Sequence, residues 1–124
     1  MDFSLKLDMG LLLYIVAIIL LVPLTIVNLL AVIYKYGFKF STFNGYFHET
    51  AIDIDKFGNR NFRTFLNATM KKKGGYMFGN VNETISSVLG KNQRDGTLTL
   101  FGKLVCNILN FLDKNHCEKS IKEL

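Results

Sequence analysis

His116 and Cys117, adjacent near the C-terminus, are the residues of this chain best suited to chemistry, with Asp113 three positions before the histidine. A thiol beside an imidazole that a carboxylate orients is the outline of a nucleophilic site. Neighbouring positions on a helix project about 100° apart, however, so the two side chains would not meet there. Zinc would need paired ligands two to four residues apart, and the other soft ligands, His48 and Cys106, do not supply that spacing. The preferred reading is a semi-buried cysteine next to a helix-start histidine. Asp53-Ile-Asp55-Lys-Phe57-Gly58 resembles the opening of a calcium loop. It fails because Phe57 holds the third ligand position and Thr64 the twelfth, where a bidentate Glu is needed. Gly74-Gly75-Tyr-Met-Phe-Gly79 has no Gly-Lys-Ser/Thr after it, and Gly90-Lys91 lacks the upstream glycine of a P-loop. No catalytic residue, metal or cofactor is expected, and the chain is read as a non-enzyme.

The elements that carry these residues are mainly helical. Phe62, Phe65, Leu66, Thr69 and Met70 follow helical spacing, and Lys71-Lys72-Lys73-Gly74-Gly75 closes that helix. Asn80-Val-Asn-Glu83 has the pattern of a capping box, opening a short helix with Ile85, Val88 and Leu89 inward and Gly90 at its end. Arg94-Asp95-Gly96 turns the chain. A longer helix over 97–113 would carry Leu98, Phe101, Leu104, Val105, Ile108, Leu109 and Leu112 as one stripe. Asn115-His-Cys-Glu118 repeats the capping pattern and starts a last turn or two, with Cys117, Ile121 and Leu124 on its apolar side. Earlier, Tyr34, Tyr36, Phe38 and Phe40 alternate with Lys35, Gly37 and Lys39, and Asn44-Gly45 is a tight-turn pair. That alternation leaves room for one β-hairpin over about 38–52.

The segment that dominates the composition lies before all of these. Of 124 residues 49% are apolar, and from Met9 to Tyr34 none is charged. Gly10–Tyr34 would span roughly 37 Å as a helix, enough to cross a hydrocarbon core of about 30 Å. Pro23 near its middle suggests a kink of the kind membrane helices tolerate. The run is too long for the core of a signal peptide and is followed by no small-x-small cleavage site, so it reads as an uncleaved anchor. The division is therefore a tail over 1–9, a transmembrane helix over 10–34, a juxtamembrane aromatic and basic segment over 35–51, and a small α-rich domain of three or four short helices over 52–124.

Lys35 and Lys39 follow the anchor at once, against Lys6 alone before it, which by one charge places the N-terminus outside and the head in the cytoplasm. In that compartment Cys106 and Cys117 would stay reduced, and the sequons Asn67-Ala-Thr and Asn82-Glu-Thr would carry nothing. Residues 35–124 hold 14 of the 15 basic side chains and 8 of the 10 acidic ones. Lys35, Lys39, Lys71, Lys72 and Lys73 are the candidates to contact lipid or another anion, with Arg60, Arg63, Lys91 and Arg94 as further members of a basic face. Beside an anchor the nearest such partner is the bilayer's headgroups. A basic surface alone carries no readout of nucleic acid sequence.

Four stretches in order, Phe57-Gly-Asn-Arg-Asn-Phe-Arg-Thr64, Phe78-Gly-Asn-Val-Asn-Glu-Thr-Ile-Ser-Ser87, Gly90-Lys-Asn92 and Leu112-Asp-Lys-Asn-His-Cys117, resemble a family of small uncharacterised proteins of tailed bacteriophages and prophages. The family commonly shares an Asp/Asn-Glu-Thr-Ile/Leu-Ser-Ser core and a terminal Asp-x-x-His-Cys element. The resemblance covers about residues 52–121 and singles out Asn80, Asn82, Glu83, Thr84, Ser86, Asp113, His116 and Cys117 as a structural motif. It implies a viral origin and brings no established reaction. The expected function is a phage-encoded, single-pass adaptor at the cytoplasmic face of the host inner membrane, with the bilayer and a host or phage protein as partners. The alternatives are a lysis or superinfection-exclusion protein acting through its helix, and a small zinc or thiol protein using His116 and Cys117.

Overall fold

The computed structural model describes the backbone over residues 3–124 and the side chains over residues 8–124. Its described residues form six helices: α1 (Phe3–Tyr36), α2 (Phe40–Asn61), α3 (Arg63–Thr69), α4 (Ile85–Asp95), α5 (Leu100–Leu112) and α6 (His116–Lys119). The mainly α expectation holds. The chain divides into two compact units, 1–45 and 46–124, with the division inside α2.

The first unit is built on α1, whose stretch Asp8–Tyr36 is long and apolar enough to cross a membrane. Most of its large side chains are exposed, Leu11, Ile19 and Leu30 among them, with Leu29, Val32 and Ile33 half-buried near its end. Gly37 ends it in the left-handed conformation, φ +76°, and its N–H donates to the Ile33 carbonyl at 2.8 Å. The hairpin is not formed. Residues 40–61 continue as helix, with Asn44-Gly45 inside it. The reason is visible in the spacing: Phe40, Phe43, Phe47, Ala51 and Ile54 recur at helical intervals, whereas the alternation stops at Phe40.

In the second unit α4, α5 and α6 pack around a core of Leu66, Met70, Phe78, Val88, Leu89, Leu98, Cys106 and Cys117. Thr84, not Asn80, caps α4: its hydroxyl accepts from the Ser87 N–H at 3.0 Å. The N-cap is thus Thr84, four residues later than the Asn80 expected. Gly90 does not end the helix but lies buried within it, because a Cβ there would strike the Cys117 carbonyl of α6. The stop is Gly96, at φ +71°. Thr99 caps α5 by accepting from the Gly102 N–H at 3.1 Å. Asn115 precedes α6 in the left-handed region, φ 58°, and makes no side-chain cap bond.

The apolar stripe expected on α5 is split. Val105 and Leu109 pack on the core, while Phe101, Leu104, Ile108 and Leu112 of the same stripe are exposed, joined by Leu100 and Phe111. Amphipathic spacing fixes which side chains share a face, and here the small residues Gly102 and Cys106 take the most buried positions.

Candidate functional site

The polar residues singled out by sequence converge on the interior of the second unit. Glu83 is fully buried, and its carboxylate accepts from Tyr76 Oη at 2.9 Å and Ser87 Oγ at 2.7 Å. Lys91 Nζ lies 2.6 Å from the same carboxylate, with 3% of the lysine side chain exposed. The ammonium also donates to Tyr76 Oη at 3.2 Å and stands 4.3 Å from the centre of that ring. Burial alone would lower the Lys91 pKa; the hydrogen bonds and charge of Glu83 and Tyr76 more than offset it and leave it above its ordinary 10.5. Glu83 is therefore one half of a buried ion pair rather than a helix cap, and Lys91 leaves the basic surface.

Three asparagines hold the extended segment before Glu83. Asn92 donates to the Tyr76 and Val88 carbonyls and accepts from the Tyr76 N–H and Thr97 Oγ1. Asn67 exchanges a pair of bonds with Phe78, at 2.7 and 3.1 Å. Asn59 donates to the Asn80 and Glu83 carbonyls and accepts from the Gly79 N–H. Each amide does for the backbone what a neighbouring strand would do. Asn80 and Asn82, expected in the motif, form an Asx turn through Asn80 Oδ1 and the Asn82 N–H.

A second chain of polar contacts joins α2, α4 and α6. Asp55 accepts from the Ile85 N–H at 2.8 Å and from Ser86 Oγ at 3.1 Å. Ser86 Oγ lies 3.0 Å from His116 Nε2, and His116 Nδ1 lies 3.0 Å from Asp113. Lys119 first, then His116, holds the Asp113 carboxyl below its ordinary 3.8. The order Ser86–His116–Asp113 is that of a hydrolytic triad. Two features oppose that use. Ser86 is only 4% exposed, and its single hydroxyl proton can serve either Asp55 or His116 Nε2 but not both, so Asp55 competes with the histidine for it. The amides of Ile85 and Ser87, at the start of α4, are taken by Asp55 and Thr84, leaving them no part in holding an oxyanion. The contacts fasten α6 to α4.

Cys106 and Cys117 form a disulfide, with Cα atoms 6.1 Å apart, where reduced thiols were expected. Cys106 faces inward from α5 and Cys117 is buried on α6, so the packing of the two helices brings the sulfurs together. The disulfide argues against the zinc reading of His116 and Cys117. Among the described residues no group of three His, Cys, Asp or Glu side chains gathers as a metal site.

The other candidate lysines and Arg94 lie toward the surface. Lys72 and Lys73 are exposed and Lys71 half-buried after α3, Lys35 lies 5.2 Å from the Tyr36 ring, and Lys39 precedes α2. Arg94 pairs with Asp95 and Glu123, both at 3.1 Å. His48 is exposed on α2 and away from the motif.

No protein-family model, curated protein or solved structure matches this chain.

Sequence reasoning gave no polar role to Asn59, Tyr76, Ser87 or Asn92, set Asp55 in a failed calcium loop and put Lys91 on the basic face. One signal was present. Asn92 sits deep in an eleven-residue helix, where asparagine is a poor helix former unless its side chain has tertiary work.

Proposed function

We propose that this protein is a phage-encoded, single-pass membrane-anchored binding module whose head presents a surface to a partner. The observation that carries the reading is the contrast between the interior and α5. Among the described residues every buried side-chain nitrogen and oxygen has a hydrogen-bond partner. On α5, by contrast, six large apolar side chains face outward, each 42–89% exposed. A polar interior satisfied by its own chain supports a structural role for the motif, and contiguous exposed apolar surface marks an interaction site. The resemblance to small phage proteins supports the viral origin, and the length and hydropathy of Asp8–Tyr36 support a membrane location.

Lysine counting favours a cytoplasmic head by one charge. The Cys106–Cys117 disulfide favours an oxidising compartment, where such bonds persist. We weigh a covalent bond above a margin of one charge, and place the head on the outer, periplasmic side with the N-terminus in the cytoplasm. Alkaline phosphatase fused after Leu124 should then be active. Activity only from a cytoplasmic reporter at that point restores the lysine-based topology.

The binding reading is tested by placing a photo-crosslinking phenylalanine analogue at Phe111 in the full chain, in infected cells. A crosslinked protein or lipid is expected. Recovery of the uncrosslinked chain alone, at every stage of infection, overturns it.

A further inference from the structure

We infer that the outward face of α5 seats in the interfacial layer of an anionic bilayer. This rests on the binding-module reading and names the occupant of its surface. Leu100, Phe101, Leu104, Ile108, Phe111 and Leu112 fall within one arc of about 120° on the helix. They are 42–89% exposed, and no polar residue interrupts the arc. A protein interface of useful size carries roughly one hydrogen bond per 100–200 Å² to fix its register. This face offers none, and acyl chains ask for none.

The surroundings of the arc have the charge and shape that lipid requires. Phe65 of α3 stands edge-on to Phe101, with centroids 6.5 Å apart, and is itself exposed, so the apolar surface continues past α5. Lys71–Lys73 is stapled to the start of α5: the Lys72 N–H donates to the Thr97 carbonyl at 2.7 Å and Lys71 bridges Leu98. Lys103 flanks the arc on the helix itself. An apolar face edged by lysines places hydrocarbon below and ammonium groups at the level of the phosphates. A covalent anchor joined through only Gly37, Phe38 and Lys39 to α2 keeps a bilayer near the head at high effective concentration.

The chain contains no tryptophan, so Ile108→Trp and Leu104→Trp each install a single reporter at an exposed position. The full-length variants are placed in nanodiscs of phosphatidylcholine mixed with phosphatidylglycerol, with Gln93→Trp, exposed on α4, as the control. Emission from positions 104 and 108 should be blue-shifted and fall about 2-fold when the lipids carry bromine on their upper acyl carbons, while position 93 should be unaffected. Raised salt, or phosphatidylcholine alone, should weaken the quenching. Red, unquenched emission from both positions overturns the inference. Blue-shifted emission that bromine does not quench overturns it in favour of a second copy or a protein partner. A protein crosslink at Phe111 combined with that result leaves the binding module standing and removes only its lipid occupant.

Discussion

Glu83 and Lys91 form an ion pair at 2.6 Å inside the head, in a site where neither side chain reaches bulk water. Taking two charges out of water is costly, and the pair is tolerated because Tyr76 and Ser87 complete its hydrogen bonds. Removing one partner strands the other. Glu83→Gln keeps the shape and leaves a buried ammonium uncompensated, so it should cost about 3–5 kcal/mol in melts of the full chain in detergent. Read as a cap, Glu83 would tolerate Gln with little change. Glu83→Gln combined with Lys91→Met should recover much of the loss; equal melting of the single and double variants sinks the ion-pair account.

Because the Lys91 pKa is raised by its partners, the stability it adds is complete below its ordinary 10.5 and is lost only as the pH climbs through the higher folded value. On the acid side Asp113 behaves in the opposite sense. Its carboxyl is held below 3.8 by Lys119 and His116, so its contribution is present above that value and disappears as the pH falls through the lower folded one. A pH titration of the melting temperature should show a flatter limb below about pH 4 for Asp113→Asn than for the natural chain. Superimposable limbs would remove Asp113 from the linkage.

The disulfide closes a short loop, with the two cysteines eleven residues apart. Cys106→Ser should therefore lower stability by about 2–3 kcal/mol. Non-reducing mass spectrometry of protein from cells offers a direct check: alkylation of both thiols without prior reduction contradicts the bond and the compartment inferred from it.

Asn92→Asp changes one atom type and should still be severe. The new oxygen would face the Tyr76 and Val88 carbonyls, to which the amide now donates. A cost of about 3 kcal/mol is expected from two lost donors in a buried site. Denaturant unfolding measures it, and a change under 1 kcal/mol, the size usual at open surface positions, would show the amide network to be loose.

Much of this fold is legible locally. The long apolar helix α1, α3 and the turn at Gly96 follow from hydropathy, spacing and glycine chemistry. Where the reading departs from the structure, the deciding contact is distant in sequence. Asn80–Glu83 has the capping pattern, but Asn59 of α2 holds the Glu83 carbonyl and Asp55 takes the Ile85 N–H, which leaves Thr84 as the residue that caps α4. Gly90 resembles a helix stop until α6 packs on it. The alternation from Tyr34 to Phe40 fits a strand, and the spacing beyond it fits a helix, so only the longer window decides. For α5, periodicity identifies a stripe but carries no information on whether the chain has anything left to cover it. The polar network was half visible: Glu83, Ser86, His116 and Asp113 stand out as residue types, while their partners are ordinary asparagines, a tyrosine and a lysine.

Gly90 also shapes what genetics can see in this protein. Alanine at position 90 would push α6 off α4, carrying His116 and Cys117 with it, although Gly90 has no side chain to take part in chemistry or binding. The same holds at Gly102, whose missing Cβ leaves room for the Met70 carbonyl. A saturation-mutagenesis map would score both codons as intolerant as any binding residue. Normalising each variant's phenotype by its abundance separates the two kinds of intolerance: the glycines should lose phenotype and protein together, whereas the outward positions of α5 should lose phenotype at full abundance.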